Sequence, residues 1–280
     1  MNKEAVKNYF IINGEIISTD DMRVFDTIKI SPIYEVIRIM DGIPLFFEEH
    51  VKRMRRSAEI VGKTIFRKDQ EIIGDIKKLI EANNVKNLNV KLLSAYEEGK
   101  KETFLAYFIE SYYPDEKVYR EGIHTILYHY ERKNPNAKVL NVSFKDEVNK
   151  KIKEMNAFEA LLVNKEGYIT EGSRSNMFFV RGEKVFTAPK GEVLLGVTRK
   201  HIINVCKELN IDVVEENINI KDLDKIDGGF MSGTSVNVLP ISSIDDKKYS
   251  SADNNLIKAI QDGYLNLVKN YIEEKKSLCK

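Results

Sequence analysis

The sequence predicts an α+β protein built as two domains, and three observations predict it. The first hundred or so residues combine two tight hairpin signals with two amphipathic helical stretches. The cluster Ser111-Tyr112-Tyr113-Pro114-Asp115-Glu116 then interrupts the apolar pattern with proline and polar residues. Beyond it, short apolar strands alternate with helical spacing up to a long final helix. A chain of 280 residues buries a sizeable core and makes one large or two ordinary domains. The expected division is a small N-terminal α+β domain over 1–113, a linker over 114–120 and a larger C-terminal domain over 121–280.

Taken in order, Tyr9 to Ser18 reads as a hairpin turning at Asn13-Gly14, because both residues tolerate the positive φ of a type I′ turn. Ile33 to Met40 alternates apolar and polar residues and turns at Asp41-Gly42 into a strand over Ile43 to Phe47. Glu48 to Val61 places Val51, Met54, Ala58 and Val61 on one helical face. Gln70 to Ala82 is a second helix, and Asn89 to Ala95 and Phe104 to Ser111 are apolar strands. In the second half, Asp146 to Phe158 has helical spacing, and Ala160 to Asn164 is a strand turned at Glu166-Gly167. Met177 to Val180 and Lys184 to Thr187 pair around Arg181-Gly182-Glu183. Thr198 to Leu209 is amphipathic, Val236 to Ile241 is a strand, and Asn254 to Lys275 is the final helix. The lysine-rich tail, Glu273 to Lys280, is expected to be a solvated, frayed end.

Composition narrows the function. Hydrophobic residues make up 42% and charged residues 31%, the ordinary balance of a soluble globular protein. A net charge of +1 gives no global basic field to gather nucleic acid or anionic lipid. The start MNKEAVKNYF has no apolar segment behind its charges, so no secretory leader is expected, and no apolar run is long enough to span a membrane. Cys206 and Cys279 are too few for a disulfide framework, which suits a reducing cytoplasm. His50, His124, His129 and His201 show no zinc-ligand spacing with cysteine or acid, so no metal is expected.

The chemistry lies between Lys138 and Pro240. Lys138-Val139-Leu140-Asn141 supplies a lysine ahead of an apolar stretch, and Ile169-Thr170-Glu171-Gly172-Ser173 supplies an acid at a turn. Gly196-Val197-Thr198-Arg199 opens a helix, where unpaired amides and the helix dipole favour an anion. Gly233-Thr234-Ser235 offers a second backbone anion site. An amine for an imine, a carboxylate for a ring nitrogen and two anion sites are what a pyridoxal phosphate pocket requires. Taken singly, each piece has a plainer reading: a solvated lysine stem, a surface acid, a threonine-capped helix start.

With these residues in this order, the chain resembles the class IV, pyridoxal-phosphate-dependent aminotransferases: branched-chain and D-amino-acid aminotransferases, with aminodeoxychorismate lyase as a sibling. The resemblance implies fold type IV, with a barrel-like sheet in the larger domain. It implies that Lys138 forms the imine with the cofactor and carries the proton, and that Glu171 keeps the ring nitrogen protonated. It further implies that Arg53, Val197, Thr198 and Thr234 hold the phosphate, that Leu194 packs on the ring, and that Ser235 and Val236 present amides to the substrate carboxylate. Arg53, in Glu49-His50-Val51-Lys52-Arg53-Met54, would otherwise read as a helix-surface arginine, as Arg55 and Arg56 do. A homodimer acting on an amino acid and a 2-oxo acid follows from the same resemblance.

The sequence departs from the family in several places. Where branched-chain enzymes carry a tyrosine after the lysine, this chain has Val142, Ser143 and Phe144. Where D-amino-acid enzymes place an arginine on a small-domain strand, Val90-Lys91-Leu92-Leu93-Ser94-Ala95-Tyr96 has none. Lys91 falls where branched-chain enzymes carry arginine and is expected to be solvated. Gly228, in Asp227-Gly228-Gly229-Phe230, suggests loose packing. The expected activity is amino transfer between a branched-chain or similar amino acid and a 2-oxo acid, with glutamate and 2-oxoglutarate as the partner pair. The rivals are a lyase forming 4-aminobenzoate and pyruvate, and a non-catalytic binding protein that keeps the fold.

Overall fold

A computed structural model describes residues 4–28, 31–97 and 101–278, so Cys279 and Lys280 of the expected tail lie outside the described residues. The chain forms two compact units. The first takes in Met1–Tyr112, Ala137–Asn141 and Val268–Lys280; the second takes in Tyr113–Asn136 and Val142–Leu267. This differs from the contiguous division expected from the sequence. The segment around Lys138 and the end of the chain belong to the first unit, and the expected linker holds a helix.

The first unit runs β1 (Tyr9–Ile12), β2 (Glu15–Ser18), α1 (Arg23–Thr27), β3 (Ile33–Met40), β4 (Ile43–Pro44), α2 (Phe47–Ile60), α3 (Asp69–Asn83), β5 (Leu88–Ala95) and β6 (Thr103–Ile109). The strands form one antiparallel sheet in the order β2-β1-β6-β5-β3-β4. Both hairpin turns have the positive φ their residues allow, 49° and 96° at Asn13-Gly14 and 50° and 78° at Asp41-Gly42. Phe47, expected at the end of a strand, instead begins α2, because Phe46 adopts a left-handed conformation that stops the strand. On α2, Val51, Met54 and Ala58 pack with Ile72, Ile76 and Leu79 of α3 against Ile37, Ile39, Val90 and Leu92 of the sheet.

Three polar side chains of β3 and α2 break these apolar faces. On β3 the buried residues are Ile33, Glu35, Ile37 and Ile39, so an acid occupies a core position. On α2 the buried face contains His50 and Ser57. Buried polar groups require partners.

The second unit begins with α4 (Glu116–Glu121), capped by the Asp115 carboxylate, which accepts from Val118 N–H. It continues with β7 (Ile123–His129), α5 (Val142–Glu154), β8 (Glu159–Val163), β9 (Tyr168–Gly172), β10 (Asn176–Arg181), β11 (Lys184–Thr187), α6 (Val197–Glu208), β12 (Asp212–Glu215), β13 (Ile218–Asn219), β14 (Gly228–Gly233), β15 (Asn237–Ile244) and β16 (Lys247–Lys248). The helix α7 (Asn255–Leu278) closes the described chain. The ten strands form one mixed sheet, β12-β11-β10-β14-β15-β7-β8-β9-β13, with β16 on β15. Helix α5 buries Phe144, Val148 and Ile152 against Ile126, Ala160 and Leu162. Phe178 and Phe230 face each other in register across β10 and β14, with ring centroids 4.8 Å apart.

Gly228 does not mark loose packing. A Cβ there would lie 2.9 Å from Ser251 Oγ and 3.2 Å from Ser251 Cα, and Ser251 is fully buried. The glycine admits a close approach. The expected frayed tail is helical through Leu278, and its Lys275 and Lys276 pair with Glu48 and Asp41.

Candidate active site

In the first unit, Lys138 sits on a short segment bound to the start of β3. Val139 bridges Ile33, Lys138 C=O accepts from Tyr34 N–H at 3.1 Å, and Leu140 N–H donates to Pro32 C=O at 2.9 Å. Ser57 of α2 completes the clamp: its Oγ accepts from Lys138 N–H at 3.0 Å and donates to Arg53 C=O at 3.0 Å. The backbone of Lys138 is therefore fixed on two sides, while its Nζ lies 4.6 Å from the centroid of the Tyr34 ring. Such mounting leaves the flexible stem as the part that can move.

Arg53 lies one turn before Ser57 on α2. Its Nε donates to Glu35 Oε1 at 2.7 Å and its Nη2 to Glu35 Oε2 at 2.6 Å, a bidentate fork. His50 Nδ1 lies 2.9 Å from the same Oε2. Burial on its own would raise the Glu35 pKa, but Arg53, with help from His50, carries it down to about 2. Burial lowers the His50 pKa against the pull of Glu35, so the ring is neutral near pH 7 and Arg53 and Glu35 balance each other. Arg55 differs: it is held by Asp69 and by the Ile65 and Arg67 carbonyls. Lys91 corrects an expectation. It is 5% exposed, paired with Glu4, and lies over the rings of Tyr34 and Tyr107 at 5.2 and 5.9 Å. From Asn89 onward, β5 is buried on both faces, so it offers no solvated side for a lysine.

In the second unit, Glu171 ends β9 and is 3% exposed. Its Oε2 accepts from Leu194 N–H at 3.1 Å, and Arg132 Nε lies 2.9 Å from Oε1 at an angle short of a hydrogen bond. The turn after Glu171 is fixed by a fully buried acid, Glu159, which accepts from Ser173 N–H, Ser173 Oγ, Ser175 Oγ and Ala160 N–H. A Cβ at Gly172 would lie 2.0 Å from Ser175 Oγ, so only glycine fits. Leu194 C=O accepts from Asn176 Nδ2 at 2.8 Å.

Gly196 is the N-cap of α6, where a threonine cap was the plain expectation; Val197 and Thr198 are its first two helical residues and both are buried. With no side chain at the cap, no side-chain hydrogen bond is made there, and the first amides keep their attraction for an anion. Thr234, Ser235 and Val236 form the turn closed by the Gly233–Asn237 pair between β14 and β15. Thus Glu171, Leu194 and the start of α6 form one cluster in the second unit, and Lys138 and Arg53 one cluster in the first. Phe144, in the stretch where the family tyrosine was sought, stacks on Tyr130 at 4.0 Å as a core residue.

The class IV amino-transferase family model matches residues 32–244, most of the chain. The chain belongs to the class IV aminotransferases. Among curated relatives, it is 28% identical over 248 residues to a D-alanine aminotransferase of Bacillus licheniformis, covering 84% of this chain and 87% of that one. It is 28% identical over 283 residues to a probable branched-chain-amino-acid aminotransferase of Rickettsia typhi, covering 95% and 98%. Among solved structures, the branched-chain aminotransferase of Escherichia coli superposes with a TM-score of 0.83 at 23% identity, covering 94% of this chain and 95% of that one. The branched-chain enzyme of Thermobaculum terrenum, solved in its PLP-bound holo-form, gives 0.82 at 20% identity, covering 96% of each. The fold is therefore type IV. As a class IV aminotransferase, the protein is a pyridoxal-phosphate-dependent transaminase.

The residues present fit that cofactor. Glu171 offers a buried carboxylate for a ring nitrogen, and α6 offers uncapped amides beside a glycine for a phosphate. Sequence reasoning passed over Glu35, Tyr34, Ser57, Arg132 and Asn176. Glu35 and Ser57 were detectable as polar residues on otherwise apolar faces; Asn176 lies in Ser173-Arg174-Ser175-Asn176-Met177-Phe178, which resembles the family strand, and nothing local marks Arg132.

Proposed function

We propose that this transaminase moves the amino group of a branched-chain or similarly apolar amino acid to 2-oxoglutarate, and returns it from glutamate. When bound, the cofactor supplies an electron sink for the substrate's α-carbon. Lys138 provides the amine that anchors the cofactor and holds the proton in transit, on a backbone pinned by Ser57 and Pro32. Glu171, held by Leu194 N–H, would keep the ring nitrogen protonated. The amides of Val197 and Thr198, the Thr234 hydroxyl and Arg53 would hold the phosphate; Leu194 would pack on the ring, and Ser235 and Val236 would offer amides to the substrate carboxylate. The protein works as a homodimer in the cytoplasm.

One observation carries the reading: a buried carboxylate and an uncapped helix start share the Leu194–Gly196 turn. The branched-chain preference is supported by the name of the Rickettsia typhi relative and by the lack of arginine from Val90 to Tyr96. The Bacillus licheniformis relative supports D-alanine as the second reading.

The test is amino exchange by the purified protein. Glutamate formation from 2-oxoglutarate with L-leucine, L-isoleucine or L-valine, and far less with D-alanine, is the expected result. Preference for D-alanine would support the second reading, and 4-aminobenzoate formation without an acceptor would overturn both. Light scattering should give twice the chain mass; a monomer would overturn the dimer.

A further inference from the structure

The second unit holds one more residue that touches the segment between Glu171 and α6, at Leu194 and Gly196. Asn176 opens β10 and is 6% exposed. Its Nδ2 donates to Leu194 C=O at 2.8 Å. A carbonyl can only accept, so the amide nitrogen must face it, and the orientation of the side chain is fixed. The Oδ1 then falls against Gly196: a Cβ on Gly196 would lie 2.1 Å from Oδ1 and 3.3 Å from Cγ. The backbone at Gly196, φ −60° and ψ 136°, is open to any residue, so Asn176 rather than conformation demands the glycine. Leu194 N–H in turn donates to Glu171 Oε2 at 3.1 Å. Asn176 also pairs in register with Ser232 of β14, whose Oγ donates to Asn176 C=O at 3.4 Å, just ahead of Gly233 and the Thr234–Val236 turn.

We propose that Asn176 is a positioning residue that holds Glu171, Leu194 and the first turn of α6 in one register for pyridoxal phosphate. The proposal rests on the reading that these residues bind the cofactor. Losing the Nδ2 donor releases Leu194 C=O, and with it the turn whose N–H orients Glu171 and whose next residues begin α6. A residue that merely filled space would alter stability without touching that register.

The experiment compares wild type, Asn176→Asp and Asn176→Ala by pyridoxal 5′-phosphate titration and by amide hydrogen exchange on cofactor-free protein. Asp keeps the shape and turns the donor into an acceptor facing a carbonyl; Ala serves if Asp prevents folding. The cofactor dissociation constant should rise about tenfold or more, the loss of roughly one buried hydrogen bond. Exchange at Leu194, and at Lys200, whose N–H donates to Gly196 C=O at 3.0 Å, should quicken on the order of tenfold, with Leu161 and Phe230 unchanged. The pH dependence of the bound cofactor's absorbance should also shift, because Glu171 is less firmly placed. Unchanged exchange at Leu194, or a uniform rise across the whole unit, would overturn the proposal. Wild type that takes up no cofactor would instead defeat the functional reading, and the exchange comparison would still decide what Asn176 holds.

Discussion

Glu35 in the first unit and Glu159 in the second are both fully buried acids beside proposed cofactor contacts, yet they are satisfied in opposite ways. Glu35 faces a cation: the Arg53 fork takes both its oxygens and His50 adds a neutral ring. Glu159 receives neutral donors, two backbone amides and two serine hydroxyls, while the Arg174 guanidinium, half exposed, stays 3.8 Å away. Charge pairing orients the partner, here the arginine proposed for phosphate. Neutral donors orient the chain itself, here the turn that carries Glu171. The first arrangement is brittle because removing either partner strands a buried charge, whereas the second loses one hydrogen bond at a time.

Glu35→Gln should therefore show the largest stability loss, about 3–5 kcal/mol in urea unfolding, because Arg53 would keep an uncompensated buried charge. A loss below about 1 kcal/mol would remove the distinction. The pH dependence should agree. The folded pKa of Glu35 is lowered from its ordinary 4.5 to about 2, so its stabilisation is present above pH 4.5 and is lost as pH falls towards 2. Acid unfolding of Glu35→Gln should lack that part of the slope. Gly172→Ala tests the second arrangement by overpacking. The new methyl would push Ser175 off Glu159, at about 1–3 kcal/mol, and should weaken cofactor binding because Glu171 is the preceding residue.

Glu159→Gln sharpens the contrast. The amide keeps one acceptor, and a serine hydroxyl can rotate to accept from its NH2, so about 1–2 kcal/mol is expected, well under the Glu35 value. Smallest of all is Lys275→Ala, which removes the Glu48 pair near the end of α7. Both side chains reach solvent, and the change should be below about 0.5 kcal/mol in the same urea series.

Much of this was legible in advance, for identifiable reasons. The Asn13-Gly14 and Asp41-Gly42 turns were readable because turn chemistry is local and both positions need positive φ. Helices α2 and α3 followed from periodicity, since each buries one face. Strands β12 and β13 were not, because they are short and pair with strands distant in sequence, and the short helices α1 and α4 were not, because one or two turns carry little periodicity. That Lys138 belongs with the first unit could not be read, because its partners Pro32, Tyr34 and Ser57 lie some eighty to a hundred residues earlier. Lys91 and Gly228 were misjudged for one shared reason. Solvation and tightness are set by what packs on top, β5's buried faces in one case and Ser251 in the other. Glu35 shows what a closer reading of alternation would have returned: an acid in register with three isoleucines must have a partner.

The central claim is that Lys138 is the amine that carries the cofactor. Borohydride reduction of the holoenzyme, followed by proteolysis and mass mapping of the modified peptide, tests it directly. The account predicts the reduced pyridoxyl group on Lys138, with no fixed label and a transaminase rate lower on the order of 10³-fold in Lys138→Ala. Label on another lysine, or a Lys138→Ala protein that retains both label and activity, would contradict it.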